Sequence, residues 1–131
     1  SLPIGKGICY QEGTKIAMIS TGTIANNVIQ ALLHITSQIG HYHFCFIKPL
    51  DTTLLKHILQ KYDTIITIED GVIKGGFGST IIDFANQHRF KNKIITLGIP
   101  DQYVDHGTVD ELHDIAWISS DKITMIIQEN L

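Results

Sequence analysis

The chain has 131 residues, a formal net charge of −3, and 44% hydrophobic against 18% charged residues. This composition is typical of one globular domain and excludes a disordered tail. No block of like charges and no long apolar run occurs, so neither nucleic acid nor a membrane is an expected partner. Cys9 and Cys45 are too few for a disulfide framework or a CxxC zinc site. A reducing, cytoplasmic location is therefore expected.

The first third of the chain predicts two strands followed by a helix. GICY, residues 7–10, indicates a short edge strand, and TKIAMIS, residues 14–20, a longer one. Apolar residues then recur at helical spacing over residues 24–39, with Thr23 as the N-cap and Gly40 as the stop.

The middle of the chain repeats this alternation. HYHFCFI, residues 41–47, predicts a strand, Pro49 ends it, and Asp51 caps the next helix. DTIITIED, residues 63–70, is apolar on both faces, as a buried parallel strand requires. A further helix is expected from Ser79 to about His88.

The last third contains KIITLGI, residues 93–99, as a strand, and a capping box from Thr108 to Glu111 that opens a short helix. A terminal helix is predicted around Ile123, Ile126 and Ile127. Strands and helices alternate throughout, which predicts a three-layer α/β domain. We expect a mostly parallel five-stranded sheet with one antiparallel edge strand and helices on both faces.

The glycine-rich stretch GVIKGGFGST, residues 71–80, raises the question of a phosphate site, because ligands of such folds bind beyond the carboxyl ends of the strands. Neither known motif fits: Ile81 takes the place of the third glycine of a dinucleotide fingerprint, and Phe77 the place of the P-loop lysine. The helix N-terminus could still accept an anion. The alternative is that the glycines allow close backbone approach. Phe77 either enters a partner's pocket or folds back onto its own core.

Other polar residues also allow both a functional and a structural interpretation. His41 and His43 lie two apart on a strand and form a possible metal pair, but two half-exposed edge residues are the preferred interpretation. Adjacent carboxylates at 69 and 70 point to opposite faces and cannot act as one dyad. We expect no catalytic, cofactor-binding or metal-binding residue in this chain. The residues expected to shape loops or to contact a partner domain are Glu69, Asp70, Gly75, Gly76, Phe77, Gly78, Asp101 and His106.

Four segments in order carry a family resemblance: LPIGKG at 2–7, FIKPLD at 46–51, TIEDGVIKGGFGS at 67–79 and LGIPDQYVDHGT at 97–108. Together they resemble the C-terminal domain of 1-deoxy-D-xylulose-5-phosphate synthases, which are similar to transketolase. The resemblance covers nearly the whole chain. The length of the chain predicts a single domain over residues 1–131, and Pro3, Gly5 and Gly7 indicate that residues 1–7 are the remnant of a linker.

The resemblance implies a parent enzyme that condenses pyruvate with glyceraldehyde 3-phosphate and releases carbon dioxide, supplying isoprenoid, thiamine and pyridoxal synthesis. Thiamine diphosphate and Mg²⁺ would be held by the other domains of a homodimer, and this domain would support assembly and be inactive alone. Asn26-Asn27 lacks the acidic glycine turn that accompanies a metal-binding asparagine pair in the family. Cys45 replaces a family arginine, so any role of that arginine is in doubt.

Two alternatives remain open. One is the corresponding domain of a 2-oxo-acid dehydrogenase β subunit, which also carries a PLD segment and a glycine loop. The other is a stand-alone anion-binding α/β module that uses the glycine loop. If partner domains normally cover this chain, apolar surface is expected near Phe77 and the strand ends.

Overall fold

The computed structural model of the chain describes residues 5–35, 37–45, 49–69, 76–98 and 119–131. The strands in these ranges are β1 (Ile8–Gln11), β2 (Ile16–Thr21), β3 (Gly40–His43), β4 (Thr64–Glu69) and β5 (Lys93–Gly98). The helices are α1 (Ala25–Leu32), α2 (Thr52–Lys61), α3 (Phe77–Gln87) and α4 (Ser120–Glu129). The expected helix at residues 108–111 lies outside the described residues.

The five strands form one sheet in the order β1-β3-β2-β4-β5. Neighbouring strands from β3 to β5 pair in parallel, whereas β1 runs antiparallel to β3 at the edge. β2 and β4 lie inside the sheet because most of their residues are apolar or β-branched on both faces, and both strands are almost wholly buried. The mostly parallel sheet with one antiparallel edge strand is therefore confirmed.

Helices cover both faces of this sheet. Alternate residues of β2 point to opposite sides, so Ala17 and Ile19 pack with helices α2 and α3, while Ile16 and Met18 pack with α1 and α4. Each face carries its own cluster of buried apolar side chains. The resulting three-layer α/β architecture agrees with the fold class expected from the sequence.

Helix α2 begins where the sequence predicts. The Asp51 carboxylate accepts a hydrogen bond from the Leu54 amide at 3.1 Å, which is the geometry of an N-cap. The apolar residues of α2 face the sheet, and Leu55 and Ile58 are fully buried. The predicted cap is confirmed.

Two other helices differ from the prediction. Helix α1 ends at Leu32 instead of running to residue 39, because the next residues close tight turns, with the His34 amide bonding the Ala31 carbonyl. Ile39 still joins the core, but from the connection that leads into β3. Helix α3 starts at Phe77, two residues before the expected Ser79.

Strand β3 is shorter than the predicted 41–47. In register, Ser20 of β2 and Ile8 of β1 both lie opposite His43, so both neighbouring strands end close to that point. Cys45 lies beyond the last paired residue and is exposed. The prediction that the strand includes Cys45 was wrong, because a strand continues only where neighbouring strands extend beside it.

Candidate functional site

Glu69 and helix α3 meet at the carboxyl edge of the sheet. Glu69 ends β4, and its Oε2 accepts a hydrogen bond from the Phe77 backbone amide at 3.0 Å. The first amides of a helix lack partners within the helix and carry a partial positive charge, which a carboxylate satisfies. An anionic ligand at this helix N-terminus would therefore meet a negative charge that is already in place. This geometry argues against the phosphate hypothesis.

Phe77 is fully buried in the core of its own chain. Its ring lies 5.7 Å from the ring of Phe44, measured between centroids, on the face covered by α2 and α3. Of the two alternatives for this side chain, the structure supports folding back onto the core. The expected exposed apolar surface at Phe77 is therefore absent, because the helix begins early enough to turn the ring inward.

Gly78 follows in the first turn of α3 and lies against the sheet. A Cβ atom at this position would come within 2.6 Å of Thr96 Cγ2 and 3.1 Å of Thr67 Oγ1. Such distances leave no room for a side chain. The last glycine of the motif therefore allows the helix to approach β4 and β5 closely, which is the packing alternative to a phosphate cradle.

Among the eight residues expected to shape these loops, the structure brings together Glu69, Gly76, Phe77 and Gly78, with Gly76 as the N-cap residue of α3. The other four, Asp70, Gly75, Asp101 and His106, lie outside the described residues. A contact with partner domains stays a prediction for all eight.

A buried polar cluster lies on the other face, where β2 and β3 run side by side. Ser20 Oγ lies 2.9 Å from His41 Nε2 and 2.8 Å from His43 Nδ1. A hydroxyl has a single proton, so it donates to one ring nitrogen and accepts from the other. His41 is fully buried and His43 is 8% exposed, so the expectation of half-exposed residues was wrong. The reason is that β1 pairs outside β3 and places Tyr10 over both rings, with centroids 5.0 and 6.1 Å apart.

The same cluster resembles a serine nucleophile beside a histidine base. A nucleophile must reach its substrate, however, and Ser20 and His41 have no exposed surface. Desolvation by burial, followed by repulsion from His43, lowers the pKa of His41 from 6.5 to about 4. His41 Nδ1 has no hydrogen-bond partner within the described ranges. A neutral histidine in the core fits these facts.

A second polar network links the β1–β2 turn to helix α2. Tyr62 Oη accepts the Gly13 amide at 2.9 Å and lies 2.8 Å from Tyr42 Oη, which in turn donates to Glu12 at 3.2 Å. Lys61 pairs with the same glutamate, and this hydrogen bond is the largest influence lowering the pKa of Glu12. No periodic pattern in the sequence predicts this network, because its hydrogen-bonded partners are 20 to 49 residues apart.

The described residues can be compared with the side chains that a bound Mg²⁺ would need. Over the described ranges no group of three His, Cys, Asp or Glu residues could hold a metal ion. Asn26 and Asn27 lie in the first turn of α1, which has no acidic residue, so they do not form the oxygen-rich set that Mg²⁺ requires. No helix in the described part of the chain is long and apolar enough to cross a membrane.

A family model described as "Transketolase, C-terminal domain" matches residues 5–123. The chain is also similar to the C-terminal region of proteins named 1-deoxy-D-xylulose-5-phosphate synthase. The relative from Parabacteroides distasonis is 41% identical over 125 residues, which cover 93% of this chain and 20% of that protein. The relative from Bacteroides thetaiotaomicron is 39% identical over 127 residues, covering 94% and 20%. The chain thus spans about a fifth of the length of the curated relatives it matches.

A solved structure described as "Split gene transketolase, inactive beta4 tetramer" has the same fold, with a TM-score of 0.84. It is 18% identical and matches 98% of this chain and 43% of its own. The sequence match over residues 5–123 and the shared architecture lead to one conclusion. The chain belongs to the transketolase C-terminal domain family.

Proposed function

We propose that this chain is the C-terminal domain of a 1-deoxy-D-xylulose-5-phosphate synthase and that it supports the assembly of that enzyme. The observation that carries the proposal is the 41% identity to a protein of that name over 93% of the chain. The parent would condense pyruvate with glyceraldehyde 3-phosphate in the cytoplasm, using thiamine diphosphate and Mg²⁺ as a homodimer. Its transferase chemistry would lie in the other domains.

The described residues support a structural role for this domain. The helix N-terminus after the glycine loop is occupied by Glu69, and the Ser20 hydroxyl is buried. General acid–base and covalent catalysis both need groups that touch the substrate. The alternative of a stand-alone anion-binding module loses part of its support, because a carboxylate already accepts the first amide of the helix that follows the glycine loop.

The test of the parent activity uses the protein in its natural length. With thiamine diphosphate and Mg²⁺ it should form 1-deoxyxylulose 5-phosphate from pyruvate and glyceraldehyde 3-phosphate, with no product when thiamine diphosphate is omitted. Reductive acylation of a lipoyl protein in place of this product would instead support the dehydrogenase β subunit.

A domain exchange between this chain and a relative tests the role of the domain itself. The matching C-terminal region of the Parabacteroides distasonis synthase is replaced by this chain, and the chimera is compared with the same synthase lacking that region. We expect the chimera to regain dimerisation and synthase activity. A folded chimera that stays monomeric would contradict the assembly role.

A further inference from the structure

Residues 5–7 and 49–51 are the described ends of two segments that carry the family resemblance, and they lie against each other in the structure. Gly7, at the end of LPIGKG, donates its backbone amide to Asp51 Oδ2 at 2.9 Å. Asp51 closes the FIKPLD segment and is 44 residues away in sequence. We call residues 5–7 the leading segment, because they directly precede β1.

The Asp51 carboxylate uses its two oxygens for two different purposes. Oδ1 accepts the Leu54 amide at 3.1 Å and caps helix α2, while Oδ2 accepts the Gly7 amide. Capping a helix requires only one acceptor oxygen. The second bond fixes the leading segment to the start of the helix.

Packing around Gly7 reinforces this bond. A Cβ atom at Gly7 would lie 2.7 Å from Leu54 Cδ2 and 3.2 Å from the His43 carbonyl oxygen, so the backbone is in close contact with both. Gly5 adopts a φ of +82° and lies against Pro49, where a Cβ atom would come within 3.1 Å of Cγ. Both ends of the leading segment are therefore in contact with residues at or just before the start of α2.

We infer that Asp51 is a positioning residue that fixes how the preceding chain joins this domain. The inference rests on the proposed function, in which further domains precede residue 5 in the parent enzyme. A flexible connection would let two domains reorient, since contacts between domains of one chain are often modest in area. The bond from Asp51 removes that freedom at the last residues before β1, so that the chain enters this domain along one fixed path from residue 5 onward.

Substitutions at Asp51 can separate the cap from the bond to Gly7. The side chain introduced by Asp51→Asn has one carbonyl oxygen and can cap the helix, but its amide group cannot accept the Gly7 N–H. Asp51→Ser also keeps a capping oxygen, and its short side chain cannot serve both partners. Asp83→Asn, at an exposed position on α3, is the matched control for loss of a carboxylate.

Trypsin provides the first measurement on the protein in its natural length, because Lys6 is exposed and lies inside the leading segment. Losing a hydrogen bond to a charged acceptor should make local opening, and hence cleavage after Lys6, about tenfold faster. We expect this increase in Asp51→Asn and Asp51→Ser, with cleavage at Lys15 and Lys56 unchanged and with the control at the unaltered rate. Unchanged cleavage after Lys6 in both variants would overturn the inference.

Synthase kinetics on the same preparations distinguish positioning from local stability. We expect kcat to fall in both Asp51 variants while KM for pyruvate is unchanged, since no described residue of this chain is placed at the substrate. Faster cleavage with unaltered kcat would also overturn the positioning role. If the unaltered protein makes no 1-deoxyxylulose 5-phosphate, the proposed function fails by itself, and the cleavage rates alone decide whether Asp51 holds the leading segment.

Discussion

The Glu69 carboxylate and the Phe77 amide are joined across the glycine-rich stretch, with 3.0 Å between Oε2 and the backbone nitrogen. The bond ties the last residue of β4 to the first residue of α3. It settles where the helix begins and turns the Phe77 ring toward the core. One carboxylate therefore serves the role that a bound anion would have in a phosphate-binding loop.

Glu69→Ala should lower the free energy of unfolding by about 1–2 kcal/mol, since a helix N-terminus loses its capping acceptor. Glu69→Gln should lower the free energy of unfolding by a smaller amount, because the amide oxygen can still accept the Phe77 N–H. Urea unfolding followed by circular dichroism gives both values. The control is Glu129→Ala at an exposed helix end. Equal urea midpoints for Glu69→Ala and the unaltered chain would show that the bond contributes nothing.

The fold was predictable because its signals are local. Residues 64–69 are β-branched or apolar almost without interruption, which indicates a strand covered on both faces, and Asp51 precedes a run with helical spacing. These signals operate within one element. They fix the type and the order of the elements without any knowledge of what packs against them.

Two features that the sequence did not predict depend on contacts with another strand or helix. The burial of His41 and His43 depends on β1 pairing outside β3 and placing Tyr10 over the rings. The inward position of Phe77 depends on a carboxylate eight residues earlier in the chain. Neither contact leaves a periodic pattern, so the sequence left Phe77 open and placed the histidines at an exposed edge.

Gly78→Ala tests the close approach of α3 to the sheet. Helix propensity alone would make alanine stabilising by about 1 kcal/mol. A Cβ atom 2.6 Å from Thr96 Cγ2 should reverse the sign, because overpacking costs about 1–3 kcal/mol. We expect a net loss of stability in urea unfolding, while Ser79→Ala, at the exposed neighbouring position, should change little.

A second substitution identifies the cause of that loss. Thr96→Ala removes the Cγ2 atom that the new methyl group would meet. Combined with Gly78→Ala, it should recover part of the stability in a double-mutant cycle. Purely additive losses would contradict steric crowding at this contact.

His41 should make the chain less stable in mild acid. Burial lowers its pKa in the folded chain from 6.5 to about 4, so between these values the unfolded chain binds a proton that the folded chain does not. Stability should then be complete above about pH 6.5 and should fall as the pH approaches 4, by at most about 3 kcal/mol. Urea unfolding between pH 4 and 7.5 measures this loss.

Replacing the histidine isolates its contribution. The glutamine in His41→Gln cannot titrate. The free energy of unfolding of this variant should therefore fall less between pH 7.5 and 4 than that of the unaltered chain, even if its stability at neutral pH is lower. His34→Gln, at an exposed position, should retain the full loss. An NMR titration of the His41 ring with a midpoint near 6.5 would contradict a buried, neutral imidazole.

Removing the hydroxyl of Tyr62 should lower the stability of the chain more than removing the hydroxyl of Tyr42. Tyr62 Oη bonds both the Gly13 amide and Tyr42 Oη in the core, whereas Tyr42 Oη bonds Tyr62 and the exposed Glu12. Tyr62→Phe leaves a buried backbone amide without its acceptor and should cost about 1–3 kcal/mol. Tyr42→Phe leaves the Gly13 bond intact, and Glu12 keeps its partner Lys61, so its cost should be smaller. Urea unfolding of both variants and of the double variant checks the order. A larger loss for Tyr42→Phe would mean that the hydroxyl pair, and not the hold on the β1–β2 turn, stabilises this part of the domain.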